Sequence, residues 1–181
     1  MVRKAKIAVI IQARMGSNRL PGKVMRSICG MPMLWHIYNR LCNIPEIAEI
    51  IIATSDLEQD DEIEIMAKKY GINCFRGSEP DVLKRYFLAA ECNNVDHIIR
   101  ITGDCPLIDH AVIQELISIY FQGDYDFCGI ACGAGVDNQI KIKKFPDGLD
   151  AEIFSFEVLN KANNEAIDEL HREHVTPYIW K

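Results

Sequence analysis

Ile7-Ala-Val-Ile-Ile11 runs directly into Gln12-Ala-Arg-Met-Gly-Ser-Asn-Arg-Leu-Pro-Gly-Lys23, and this junction decides the fold. Five consecutive apolar residues, mostly β-branched, leave no polar face. Such a run suits a central strand of a parallel sheet covered on both sides. The segment after it is rich in glycine and proline and carries three cations, so it reads as a loop with chemistry rather than a continued element.

Outward from this junction, apolar runs alternate with stretches of helical periodicity. Pro32 is expected in the first turn of a helix reaching about Leu41, with Met33, Ile37 and Leu41 on one face. Residues 49–53 read as a second strand, and residues 60–70 as a helix stopped by Gly71. Residues 72–75 form a third short strand, after which Asp81 caps a helix running to about Cys92. Residues 97–101 are a fourth strand. Asp109 then caps a helix with Val112, Ile113, Leu116, Ile117 and Tyr120, ending near Gly123. This rhythm predicts an α/β fold, a doubly wound, mostly parallel sheet with right-handed crossovers. From Asp124 the rhythm breaks. Gly129, Gly133 and Gly135 punctuate a loose region, followed by expected strands at 139–142 and 150–154 and a helix over 156–166.

Composition narrows the function. A chain of 181 residues fits one domain, and 49% hydrophobic with 25% charged residues is ordinary for a globular protein. The net charge of −6 argues against a broad nucleic-acid footprint. A small anion is still accommodated, because local cations and backbone amides outweigh global charge at short range. The apolar run at 7–11 is too short for a secretory leader, and no stretch approaches the roughly 20 residues that span a bilayer. Seven cysteines without a Cys-x-x-Cys pair read as reduced thiols, and so as a cytoplasmic protein.

The loop 12–23 follows the carboxyl end of its strand, where open α/β sheets bind ligands. Gly16 and Gly22 allow close backbone approach, Ser17 and Asn18 add hydrogen bonds, and turned amides form an anion nest. Arg14, Arg19 and Lys23 offset much of the charge of a triphosphate. Neither GxxxxGK[ST] nor GxGxxG is present, so P-loop and dinucleotide sites lack their fingerprint. The plain alternative is a solvated basic turn. Ser17 has no visible partner base, which excludes a nucleophilic triad.

Ala13-Arg-Met-Gly-Ser-Asn-Arg-Leu-Pro-Gly-Lys23 resembles the signature loop of cytidylyltransferases that activate acidic sugars such as Kdo and acylneuraminic acids. It is most similar to the spore coat polysaccharide biosynthesis protein F group. Further matches are Ala53-Thr-Ser-Asp56, Phe75-Arg-Gly-Ser-Glu-Pro-Asp-Val-Leu-Lys-Arg-Tyr86, Arg100-Ile-Thr-Gly-Asp-Cys-Pro-Leu-Ile-Asp109, Phe145-Pro-Asp-Gly-Leu-Asp150 and Arg172-Glu-His-Val-Thr-Pro-Tyr178. They span nearly the whole chain in the family's order.

The resemblance implies a Rossmann-like three-layer sandwich of the nucleotide-diphospho-sugar transferase (GT-A) type. It also implies Mg²⁺-dependent transfer of CMP from CTP to a small acidic sugar, with pyrophosphate released. Ala13, Arg14, Gly16, Ser17, Arg19, Gly22 and Lys23 are then expected to hold the nucleotide, joined by Arg76 and Ser78. Arg14, Lys23 and Asp104 carry catalysis. Asp104 follows the fourth strand and is the expected metal ligand, because a lone carboxylate there can hold Mg²⁺ bridged to phosphates. Resemblance points to Asp150 as a second ligand, a simple Asp-Gly turn being its alternative. Arg76 and Arg85 are equally well read as partners of Glu79 and Asp81. His171 and His174 share a helix face without a third ligand, and His174 has no assigned role. Family members continue past the Thr-Pro-Tyr segment, so the chain is expected to be C-terminally truncated or divergent, and the stretch 129–138 departs from the family pattern. Apolar residues near the end favour a homodimer.

Two other functions remain open on the sequence. A glycosyltransferase would place its metal on an Asp-x-Asp pair, for which Asp124-Tyr-Asp126 has the spacing. A non-catalytic nucleotide- or sugar-binding module would bind without releasing pyrophosphate.

Overall fold

The computed structural model describes residues 4–17, 19–130, 146 and 148–180. Its elements run β1 (Ile7–Gln12), β2 (Ser27–Ile28), β3 (Met31–Pro32), α1 (Met33–Leu41), β4 (Glu49–Ser55), α2 (Asp61–Lys69), β5 (Asn73–Gly77) and α3 (Val82–Cys92). They continue with β6 (His97–Thr102), α4 (His110–Gln122), β7 (Phe127–Gly129), β8 (Ala151–Ser155), α5 (Phe156–Glu165), α6 (Glu169–His174) and α7 (Pro177–Trp180). Among the described residues six strands form one sheet in the order β5-β4-β1-β6-β8-β7, and β2 with β3 makes a small separate hairpin.

The apolar run of β1 sits where its lack of a polar face demands, between β4 and β6 and parallel to both. Ile7, Val9 and Ile11 pack into a core with Leu34, Ile37 and Leu41 of α1, Ile63 and Met66 of α2, and Ile113, Leu116 and Ile117 of α4. Ala8 and Ile10 point the other way, into a second core with Leu83 and Tyr86 of α3 and Leu159 of α5. Strand period 2 thus divides one run between two hydrophobic layers, giving the expected three-layer α/β sandwich.

From β1 the chain winds outward through β4 to β5, then α3 carries it back across β1 to β6 on the far side. The carboxyl ends of β1 and β6 therefore flank the point where the winding reverses, which is where such sheets open a crevice. Gly103 shows how closely the two ends approach. Its N–H donates to the Gln12 carbonyl at 2.8 Å. A Cβ built there would lie 2.9 Å from that same oxygen, so only glycine fits.

Several local expectations shift. The buried face of α1 is Leu34, Ile37 and Leu41, while Met33 is only half-buried. The caps at Asp81 and Asp109 form as expected, accepting from Lys84 N–H and from Ala111 and Val112 N–H. Beyond β6 the sheet departs from pure parallel winding. β8 lies antiparallel to β6, and β7 pairs antiparallel with β8. The strand expected at 139–142, together with Asn18, Gly133, Gly135 and Asp147, lies outside the described residues. Among the described residues, no helix is long and apolar enough to cross a membrane.

Candidate active site

The loop after β1 is folded around Met15. Its carbonyl accepts from Ser17 N–H at 2.8 Å and Gly22 N–H at 2.9 Å. Gly22 adopts φ +68°, a left-handed conformation that costs glycine little, and so starts the short helical turn bearing Lys23. The Met15 N–H donates to the Asp60 carboxylate at 2.7 Å, and the same carboxylate accepts from Ser55 N–H at 3.2 Å and from the Ser55 hydroxyl. Asp60 is wholly buried. Its side chain anchors the loop to the end of β4 rather than capping α2, which it precedes without a cap bond.

Lys23 meets Asp104 across the crevice, its ammonium donating to a carboxylate oxygen. Burial alone would raise the proton affinity of Asp104. The Lys23 ammonium and the Thr102 side chain outweigh it, so the carboxyl lies below its ordinary value and is ionised at neutral pH. Together these residues border a cleft of about 370 Å³ lined by Gln12, Ala13, Arg14, Gly16, Ser17 and Arg19 on the loop side. Val82 and Arg85 of α3, Thr102 at the end of β6 with Gly103 after it, and Glu173 and His174 of α6 complete its lining. Arg14 reaches Glu79 at only 3.5 Å with both side chains partly exposed, a pair that holds it loosely.

The second expected metal ligand lies nearby. The register pairs Ile101 with Ala151, which sets Asp150 at the level of Thr102. Both Asp104 and Asp150 act electrostatically on Cys105, whose thiol burial pushes up. Asp150 accepts from Gly148 N–H at 3.0 Å. Among the described residues no three His, Cys, Asp or Glu side chains converge on one point.

Not every expected residue comes to the cleft. Arg76 is bound elsewhere: its guanidinium pairs with Asp61 at 2.6 Å and Glu64 at 2.7 Å, and donates to the Ser55 and Leu57 carbonyls. The sequence leaves two expectations for it, a contact with the nucleotide or a pair with Glu79 or Asp81. The partners are instead the first-turn carboxylates of α2, brought alongside because β4 and β5 are neighbours. Ser78 does not line the cleft either; its carbonyl accepts from Arg85 and its hydroxyl from Asp81 N–H. Asp81 pairs with Arg172, at 2.9 and 2.7 Å, rather than with an arginine of its own segment. The two histidines of α6 separate. His174 lines the cleft, while His171 packs edge-on against Tyr178 at 5.9 Å.

Asp124 and Asp126 are exposed beyond the end of α4. That end lies beside the start of β6, since His97 contacts both Tyr120 and Phe121. The Asp-x-Asp spacing therefore falls at the edge of the sheet opposite the cleft.

Asp60, Gln12 and Arg85 were missed or left open on the sequence. Asp60 stands among Glu58, Asp61 and Glu62, where nothing in composition marks one carboxylate as buried. Gln12 offered a better signal, as a lone polar residue closing an apolar strand run.

A cytidylyltransferase family model matches residues 8–181. Spore coat polysaccharide biosynthesis protein SpsF of Bacillus subtilis is 34% identical over 178 residues, covering 96% of this chain and 69% of that protein. A 3-deoxy-manno-octulosonate cytidylyltransferase of Hydrogenovibrio crunogenus is 32% identical over 126 residues, 67% of this chain and 49% of that protein. The solved structure of a cytidylyltransferase from Leptospira borgpetersenii superposes with a TM-score of 0.87 at 34% identity, covering 97% of this chain and 71% of that one.

Proposed function

The chain belongs to the cytidylyltransferase family, and from that premise we propose that it transfers CMP from CTP to a small acidic sugar and releases pyrophosphate. The carrying observation is the meeting of Lys23 and Asp104, from two different loops, at the point where the sheet winding reverses. The relatives named for Kdo activation and for spore coat polysaccharide synthesis support an acidic sugar as acceptor and polysaccharide biosynthesis as the setting.

In the proposed reaction the acceptor hydroxyl oxygen attacks the α-phosphorus. The bond from that phosphorus to the bridging oxygen breaks, pyrophosphate leaves, and the hydroxyl proton passes to solvent. The loop amides of Gly16 and Arg19, with Ala13, Ser17 and Gly22 shaping the backbone, hold the phosphates. Arg14, Arg19 and Lys23 neutralise the charge that grows on the leaving group. Such chemistry depends on positioning and charge more than on covalent catalysis.

Mg²⁺ belongs to the same proposal. Asp104 with Asp150 offers hard oxygen donors, and Asp104 is kept ionised, while the raised thiol of Cys105 supplies no soft competitor. Two carboxylates suit an ion that keeps several waters and shares phosphate oxygens. When bound, Mg²⁺ supplies charge neutralisation and polarisation at the phosphates. A cytoplasmic setting is supported by the six described cysteines, all unpaired.

Thermal unfolding with CTP, UTP, ATP and GTP, each with and without Mg²⁺, tests this. A ligand at 100 times its dissociation constant adds about 2.7 kcal/mol. Stabilisation by CTP with Mg²⁺ above all other combinations is expected, followed by pyrophosphate release with an acidic sugar. No shift with any nucleotide would overturn the proposal.

A further inference from the structure

Two buried polar atoms of the cleft have no partner among the described residues: Oε1 of Gln12 and Nε of Arg85. Arg85 is only 2% exposed. Among the described residues its guanidinium makes one hydrogen bond, from Nη1 to the Ser78 carbonyl at 2.9 Å, and no carboxylate pairs with it. Leaving a buried donor and a buried acceptor unpaired is costly, and folded proteins rarely tolerate it away from functional sites.

The fold sets both groups in the wall of one cleft. Strand alternation puts Gln12 on the face of β1 that carries Ala8 and Ile10, which pack against α3. Tyr86, next to Arg85, donates its hydroxyl to the Ile10 carbonyl at 3.1 Å and closes α3 onto that strand. Val82, three residues before Arg85, shares its helix face and adds an apolar surface to the cleft wall.

As the side chains are placed, Gln12 presents an acceptor and Arg85 a donor, and a ligand group carrying both a donor and acceptors satisfies them together. Phosphate and carboxylate oxygens offer acceptors alone. The edge of cytosine offers both, with an N4 amino group beside N3 and O2, whereas uracil carries O4 and an N3–H there. We propose that Gln12 and Arg85 read the nucleotide base, Gln12 Oε1 accepting from N4 and the free Nε edge of Arg85 donating to N3 and O2. Val82 meets the ring. Discrimination rests chiefly on Arg85: a glutamine amide can turn to face O4, but a guanidinium has no acceptor for the N3–H of uracil. The inference rests on the cytidylyltransferase reading and adds to it the source of its base preference.

The experiment measures CMP and UMP binding by calorimetry, and kcat/KM for CTP and UTP, in the wild type, Arg85→Gln and Gln12→Leu. Gln at position 85 can rotate to accept from N3–H, so the cytosine preference is expected to fall by about tenfold or more. Gln12→Leu is expected to weaken CMP about tenfold, with a smaller change in preference. If Arg85→Gln weakens CMP and UMP equally, or raises only the KM for the sugar, the base-reading role is overturned. Should Arg85→Gln fail to fold, the wild type with 3-deaza-CMP, which lacks the N3 acceptor, decides. About tenfold weaker binding than CMP supports the inference, and equal binding overturns it. Wild-type protein that binds neither CMP nor UMP would instead overturn the nucleotide reading itself.

Discussion

Asp60 holds the phosphate loop without touching the cleft, and its removal separates loop geometry from loop charge. Asp60→Ala leaves the Met15 and Ser55 donors unpaired in the interior, at about 1–3 kcal/mol for each. Nucleotide KM is expected to rise roughly tenfold although Arg14, Arg19 and Lys23 remain. Steady-state kinetics with a melting curve would show both effects, and an unchanged KM would mean that the loop keeps its shape unaided. Lys23→Ala should do the reverse, with turnover falling by orders of magnitude and only a small loss of stability as Asp104 loses its partner. Asp104 adds a pH test. Its folded pKa lies below the unfolded value of about 3.9. Its contribution to stability is therefore present above that value and lost as pH falls through the folded one. An Asp104→Asn variant should thus lose less stability than wild type between about pH 5 and pH 2, read by acid denaturation. At this scale the sequence revealed the cations and Asp104, because loop glycines and strand ends mark them. It hid Asp60, whose role depends on a neighbour 45 positions away.

Between β8 and the end of the described chain, three short helices are held by a few polar clamps. Val175 follows α6 with φ +72° and ψ −60°, and the Thr176 N–H donates to the His174 carbonyl at 2.8 Å. This is the rare hand of a three-residue turn, strained for a β-branched side chain. It persists because Val175 is wholly buried beneath α3 and α5 and because α6 is pinned from both sides. Arg172 clasps Asp81 and donates to the Asn163 carbonyl at 2.7 Å, while Thr176 donates to Glu152 at 3.0 Å. Arg172→Leu is expected to cost about 1–2 kcal/mol. It should also speed amide exchange in α6 well before β1 or β6 is affected; uniform acceleration would mean that α6 has no independent stability. The main strands and helices through α4 were legible because long apolar runs alternate with helical periodicity and because Asp81 and Asp109 cap as expected; the small β2–β3 hairpin was not. Those after Asp124 were not, since an antiparallel return strand and one- or two-turn helices leave little periodicity to read.

Across the whole molecule, one buried ion pair ties the middle of the chain to its later part. Arg100 of β6 donates to Glu152 of β8 at 2.6 Å, both nearly fully buried. Glu152→Ala strands a buried guanidinium and is expected to cost about 3–5 kcal/mol. Chemical denaturation would measure it, and a loss below 1 kcal/mol would mean that water reaches Arg100. The alternation of strand and helix announced the sandwich, yet neither the reversal at β8 nor this pair follows from local pattern, because antiparallel pairing depends on residues far apart. The pair also sets a schedule for synthesis. Glu152 is made 52 residues after Arg100, a delay of roughly 3–10 s at ribosomal speed. Until it emerges, four parallel strands can assemble around a cation with no counterion, and the nascent chain waits on the ribosome in a form that should recruit chaperones.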